Sequence, residues 1–231
     1  MAYTDFATIT DTSVINEKKA AAIALIFYKG SGLNSDADGG TPDTTTLRTL
    51  GVGLKHNPYG LAWCTDSAHA YSKNITTIQC TSSGSVGSYT FTGDKNGSDN
   101  LEQIEAFEGV SDTGTEANYP AFYFAKNYKG QKLGSESSSR ILTGSEFEDG
   151  WYLPSIAELF QIYACRADTT SGFNIDTASQ ALGGDEFGSS LYWSSSQPAS
   201  DAILAYLLNF NGAWLDRDKD NNRNVCAIRE F

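Results

Sequence analysis

Two histidines, four cysteines and an acidic run near the C-terminus are the side chains whose types could do chemistry in this sequence. His56 and His69 lie 13 residues apart, with no paired cysteine and no HExxH context around them. A zinc site needs several converging nitrogen or sulfur ligands, so we expect hydrogen-bonded or surface histidines here. Cys64, Cys80, Cys165 and Cys226 are too widely spaced for a CxxC metal or redox motif; two disulfides and four buried thiols both fit. Asp216-Arg-Asp-Lys-Asp-Asn-Asn222 imitates the front half of a calcium loop, with oxygen side chains at alternate positions. It departs where Asn221 replaces the turn glycine and Ala227 replaces the closing bidentate glutamate, so a solvated polar loop is expected. No GxSxG elbow, phosphate loop or dinucleotide fingerprint occurs. Carboxylates are abundant, but abundance in an acidic chain carries no information about acid/base pairs. We therefore expect no catalytic residue, no metal and no cofactor. Binding is the default.

The composition narrows the partners. Sixteen Lys+Arg against 28 Asp+Glu give a net charge of −12 over 231 residues, and nucleic-acid binding lacks the basic footprint it needs. Hydrophobic residues make up 40% and aromatics 12%, which is enough for a sizeable core. The longest apolar run, Ala20–Tyr28, is far too short to span a bilayer. Met1-Ala-Tyr-Thr4 shows no basic segment followed by an apolar one, so we read no signal peptide in it.

Several elements must position whatever site exists. Ala20–Tyr28 reads as a buried strand, followed by a long Gly/Asp/Thr-rich loop at Gly30–Thr46. Leu47–Leu54 and Leu61–Cys64 read as short strands around a turn at Asn57–Gly60, and Lys73–Thr92 as loosely connected strands. Asp99-Asn100 can cap a helix over Leu101–Phe107, and Pro120 can open another over Tyr119–Tyr128. The strongest helix is Ser155–Arg166, where Ser155 and Glu158 form a capping box and Ile156, Leu159, Phe160 and Tyr163 make one apolar stripe. Strands follow at Leu191–Ser196, Leu204–Phe210, Ala213–Leu215 and Asn224–Phe231, with Asn211-Gly212 as a hairpin turn. One α+β domain over residues 1–231 is expected, with two main helices, mostly antiparallel strands and long loop insertions.

The order of motifs in the C-terminal third carries a resemblance. Gly150-Trp-Tyr-Leu-Pro-Ser-Ile-Ala-Glu-Leu159, Leu191-Tyr-Trp-Ser-Ser-Ser196, Ala205–Phe210, Gly212 and Val225-Cys-Ala-Ile-Arg229 follow one another. This resembles the bacterial "WRLPT…YWSSS…VRxVR" domain family, of the C-type lectin and formylglycine-generating-enzyme type. The similarity extends to the variable proteins of diversity-generating retroelements, the treponemal ones included. Tyr152 stands where the family has Arg, and Cys226 where it often has Arg. The resemblance implies a C-type lectin-like domain whose half at 150–231 holds a variable region near 190–224.

In such systems the adenines of AAC or AAT codons are randomised, which can never yield Trp, Lys, Glu, Gln or Met. In Asp201–Leu204 and Ala213–Asn224, every residue except Trp214 and Lys219 is reachable from an Asn codon. The resemblance therefore implies variable ligand contacts at Ala202, Ile203, Leu204, Leu207, Ala213, Leu215, Asp216, Arg217 and Asp218. Alternation in Ala205–Phe210 puts Tyr206, Leu208 and Phe210 on the core face and Leu207 outward, in an apolar patch with Ile203, Leu204 and Leu215. We expect the nine positions mainly on one exposed face, above a scaffold of Tyr192, Trp193, Tyr206, Leu208, Phe210 and Ile228.

The implied function is that of an exported, monomeric ligand-binding protein at the cell surface or outer membrane. Its partner is a protein or glycan outside the cell, and its only membrane contact is a lipid anchor on the precursor. Two other functions compete. A formylglycine-generating-type oxidase needs two cysteines close together, and Cys165 and Cys226 are 61 residues apart. A calcium-dependent lectin needs Gln-Pro-Asp, and Gln197-Pro-Ala199 lacks the carboxylate.

Overall fold

The computed structural model of the chain describes residues 21–34, 43–108, 117–130, 142–167 and 173–231. Among these, an α+β arrangement forms, with strands β1 (Ala24–Gly30), β2 (Arg48–Gly53), β3 (Asn57–Leu61), β4 (Cys80–Ser83) and β5 (Thr90–Gly93) leading into helices α1 (Gly97–Glu108) and α2 (Pro120–Lys126). Strand β6 (Trp151–Tyr152), helices α3 (Ile156–Ala167) and α4 (Ile175–Ala181), and strands β7 (Leu191–Trp193), β8 (Leu204–Asn209), β9 (Ala213–Asp218), β10 (Arg223–Val225) and β11 (Ile228–Glu230) complete it.

Pairing is mostly antiparallel. One sheet runs β1-β2-β11-β6, a second runs β3-β10-β7-β8-β9, and β4 and β5 form a separate hairpin. Among the described strands, β10 and β7 are the one parallel pair. Trp151-Tyr152 pairs with Arg229-Ile228, so the first and last parts of the C-terminal motif meet in one sheet. The N-terminal strand lies in that sheet too, separated from β11 by β2.

The expected closing strand Asn224–Phe231 is in fact two strands, one in each sheet. Val225, Cys226, Ala227 and Ile228 are all fully buried, and such a run cannot alternate between core and solvent. The chain crosses between sheets there, with Gly53 N–H donating to Ala227 O at 2.9 Å. The expected turn at Asn57–Gly60 belongs to β3, held against β10. Helix α4 has no apolar stripe in its sequence, and its one local signal is the cap, Asn174 Oδ1 accepting from Thr177 N–H at 3.1 Å. Ala20 and positions 35–42 of the expected loop lie outside the described residues.

Helix α3 starts as its sequence predicts. Ser155 Oγ accepts from Glu158 N–H at 3.1 Å, and Glu158 Oε2 accepts from Ser155 N–H at 2.8 Å. The box is fully buried and does more than cap. Glu158 Oε2 also accepts from Gly97 N–H at 3.0 Å, where α1 begins. Its Oε1 accepts from Tyr152 Oη at 3.1 Å and from Arg48 Nη1 at 3.3 Å. Arg48 Nη2 in turn donates to Tyr152 Oη at 2.8 Å. Strand β2 thus brings a guanidinium beside Tyr152. Burial pushes the Glu158 carboxyl up, while Arg48 and the backbone donors oppose that shift.

The core has two parts, one on each side of the β7-β8 region. Tyr192, Tyr206, Leu208 and Phe210 pack with Ile156, Leu159 and Phe160 of α3 and with Leu50 and Val52 of β2. Trp193, Ala205, Leu207 and Val225 pack on the other side with Trp63, Phe122 and Trp151.

Candidate functional site

Strand β9 is one edge of the five-stranded sheet, and it forms a hairpin with β8 in the register Leu204↔Asp218 to Asn209↔Ala213. The turn is made by Phe210-Asn211-Gly212, with Gly212 N–H donating to Asn209 O at 2.8 Å. Gly212 has φ +97°, where only glycine is unstrained, and a Cβ there would come within 2.5 Å of the Tyr163 hydroxyl. The segment before β8 meets the end of β9 and extends this edge, with Lys219 N–H donating to Ile203 O at 2.9 Å.

The nine expected contact residues fall on this edge, with one exception. Arg217 and Asp218 are exposed; Ala202, Ile203, Leu204, Ala213, Leu215 and Asp216 are partly exposed. Leu207 is fully buried, which corrects its outward assignment. The alternation of β8 was read correctly, but its second face is covered as well. Trp193, Val225 and Trp63 belong to the cluster that takes in Leu207 and Ala205. The expected apolar patch loses its central member for the same reason.

The single-face expectation is also corrected. Ala213, Leu215 and Arg217 lie on one side of β9, opposite Asn209, Leu207 and Ala205; Asp216 and Asp218 lie on the other, opposite Tyr206 and Leu204. The accessible positions therefore line the rim of the sheet, not a face of it. All six scaffold residues, Tyr192, Trp193, Tyr206, Leu208, Phe210 and Ile228, are buried.

Two side chains of the rim sit inward. Trp214 packs edge-on to Tyr206 (5.2 Å between ring centroids) and to Tyr89 (6.2 Å). Lys219 is the one fully buried residue between Ala213 and Asn224. It lies in the middle of the calcium-loop-like run, where Asp216 and Asp218 belong to β9 and alternate with Arg217. The run is therefore not the solvated loop expected from its composition, because Lys219 anchors it. The available signal was that Lys219 is one of the two residues there that no mutated Asn codon encodes.

The remaining candidates for chemistry have structural partners. Gln197 is fully buried, its Oε1 accepting from Ile75 N–H at 3.1 Å and its Nε2 donating to Lys73 O and Ala202 O at 2.9 and 3.1 Å. It therefore offers no sugar ligand. All four cysteines are thiols, and Cys165 Sγ donates to Phe27 O at 3.3 Å. Burial pushes the Cys80 thiol up to about 12 and Cys226 higher still, the wrong direction for a thiolate nucleophile. Among the described residues, no three His, Cys, Asp or Glu side chains converge on a point that could hold a metal ion.

The rim is acidic. Partial desolvation and then the carboxylates of Asp220 and Asp218 push the Tyr71 hydroxyl above its ordinary value. A shallow cavity of about 470 Å³ opens beside the β9–β10 turn, between Leu61, Asp66, Pro120, Asp220 and Asn222.

His56 is a core residue. Its Nδ1 lies 2.9 Å from Tyr192 Oη, and its ring packs 4.3 Å from Phe187. Burial pushes its pKa down from 6.5 to about 4. The unfolded chain takes up this proton near pH 6.5 and the folded chain does not, so the stability it contributes is full above pH 6.5. That contribution is lost as the pH falls from 6.5 to about 4, by ~3 kcal/mol in all. Asp94 works in the opposite sense, because burial and a bond from Asp99 push its carboxyl up to about 8. Denaturant titrations of wild type and His56→Gln between pH 4 and 7.5 isolate the histidine. The stability difference between the two proteins should shrink toward acid; a difference independent of pH would contradict it.

Comparison with family models finds no match, and comparison with curated proteins finds none at a significant level. A similar solved structure is a fimbrial protein from Bacteroides ovatus, with a TM-score of 0.55 and 16% sequence identity. The match covers 92% of this chain and 44% of that one, so this chain spans less than half the length of the fimbrial protein. Similarity at this level concerns the fold alone.

Proposed function

We propose that this is an exported ligand-binding protein built on a C-type lectin-type scaffold, whose rim at residues 201–204 and 213–224 is diversified by adenine-directed mutagenesis from a retroelement. The ligand is a protein or glycan outside the cell, bound without catalysis or a required metal. One observation carries the reading: Lys219, one of the two residues outside the reachable set, is the one that is fully buried. In the two rim segments, the residues that a mutated Asn codon cannot encode are Trp214 and Lys219. Lys219 is the segments' one fully buried side chain, and Trp214 packs on two tyrosines. Residues free to vary are accessible, while those barred from varying hold the rim to the core. The likeness to a fimbrial protein supports export to a surface.

A site that accepts many residues must be energetically separate from the core, since a folded domain has only about 5–15 kcal/mol to lose. A library with Ala202, Ile203, Leu204, Ala213, Leu215, Asp216, Arg217 and Asp218 replaced by residues of the reachable set tests this. Most members should unfold cooperatively, within roughly 3 °C of wild type, which corresponds to ~1 kcal/mol for a chain of this size. Randomising Trp214 and Lys219 as well should lower the melting temperature clearly further in most members. Widespread unfolding of the first library would overturn the proposal. So would a genome with no near-copy of these codons, differing at adenines, beside a reverse transcriptase gene.

A further inference from the structure

Lys219 stands at the start of the β9–β10 turn, fully buried. Its Nζ donates to the carbonyl oxygens of Ala70 at 2.7 Å, Lys73 at 3.2 Å and Ala202 at 2.7 Å. An ammonium has three N–H donors, and three carbonyl acceptors meet them here. The Trp63 ring lies 4.9 Å from Nζ, in cation–π contact. Lys73 O and Ala202 O are themselves fixed by Gln197 Nε2. The main chain is tied at the same place, Lys219 N–H donating to Ile203 O at 2.9 Å and Cys64 N–H donating to Lys219 O at 3.2 Å. Among the described residues, no carboxylate forms an ion pair with this ammonium.

Burying a charge without a counter-ion is costly unless hydrogen bonds replace its water shell. If bulk were all that this position required, an apolar residue would fill it at lower cost. The arrangement of several backbone oxygens around one positive centre, with an aromatic floor, has the chemistry of a cation site. We propose that these carbonyls form a site for a small N–H-bearing cation, which the chain fills with its own Lys219. In this role Lys219 is a positioning residue for the rim. Ala70 and Lys73, the segment 197–204 and the β9–β10 turn are far apart in sequence, and the ammonium draws carbonyls from the first two onto the third. With the cation gone, three carbonyl dipoles face one another in a dry pocket, and the segments separate to reach water. The arrangement of the rim is then set beneath the accessible side chains, which leaves those side chains free to differ. The cage itself is testable whether or not the rim binds a variable ligand, so the two readings fail separately.

Amide hydrogen exchange on the full chain reads the outcome. In Lys219→Ala, amides in 64–75, 197–204 and 219–223 should exchange roughly tenfold faster or more, while those of β1, β2 and β11 keep their rates. Methylammonium at millimolar concentrations should restore protection in this variant. Tetramethylammonium, which has the charge and no N–H, should not. Lys219→Met fills the pocket with an apolar chain of similar length, so it should be loosened as well and remain unresponsive to methylammonium. Four results would overturn the proposal: unchanged exchange in Lys219→Ala, loosening spread equally through both sheets, equal rescue by tetramethylammonium, or a Lys219→Ala chain that stays unfolded in methylammonium.

Discussion

Replacing Arg48 by Met is expected to lower stability at neutral pH by about 3–5 kcal/mol, as removal of one partner from a buried ion pair usually does. The guanidinium is almost fully enclosed and serves four acceptors. They are Glu158 Oε1 at 3.3 Å, Glu230 Oε2 at 3.0 Å, Tyr152 Oη at 2.8 Å and Leu33 O at 3.1 Å. These groups lie on β11, β6, the start of α3 and the loop after β1. Without the guanidinium, Glu158 keeps its capping duties but has no positive charge beside it. Burial already pushes its carboxyl up, and the variant removes the largest opposing influence. The folded variant therefore holds a proton that the unfolded chain releases near the ordinary carboxylate value. For a group whose folded pKa is raised, the contribution is present at low pH and is lost as the pH rises. The deficit of Arg48→Met relative to wild type should accordingly be smallest near pH 4.5 and largest near 7.5. Urea unfolding at the two pH values measures it. A deficit below about 1 kcal/mol at both would mean that the pair makes no net contribution.

The second large effect separates core from rim. Trp193→Ala should cost about 3–5 kcal/mol and Leu207→Ala about 2–5 kcal/mol, the usual range for large-to-small changes in a packed interior. Trp193 is fully buried, and its Nε1 donates to Leu61 O at 2.9 Å and to Asn221 O at 3.2 Å, so its loss also removes a shared hydrogen bond. Leu207 is paired across the sheet with Trp193 on one side and Leu215 on the other. By contrast, Arg217→Ala and Asp218→Ala remove exposed side chains, and each should stay within about 0.5 kcal/mol of wild type. Thermal unfolding of the four single variants gives the comparison directly. A Leu207→Ala protein as stable as Arg217→Ala would show that the inner face of β8 is not packed.

Much of the scaffold was legible locally. The capping box of α3 needs only Ser155 and Glu158 three residues apart, and it forms as the spacing requires. The β8–β9 hairpin follows from Asn211-Gly212 between two alternating apolar runs, because a positive φ at Gly212 closes the turn. Tyr206, Leu208 and Phe210 face the core because alternation in an extended strand leaves them no other common side. These features depend on residues close in sequence, where backbone geometry fixes the outcome.

Other features depend on contacts that no local pattern encodes. Alternation separates two faces of β8, but it cannot say whether one or both are covered; Trp63, about 140 residues upstream of Leu207, belongs to the cluster that covers the second. The burial of Lys219 rests on Ala70 and Lys73, almost 150 residues earlier, so no periodicity within the polar run encodes it. Arg48 reaches Glu158 across 110 positions, and the split of the last strand follows from the sheets on either side of it. Short-range geometry set the helices, the turns and the alternation of faces. Which of those faces and charges were removed from water was settled by packing between distant segments, because burial is a property of everything that surrounds a residue and periodicity reports only its own strand or helix.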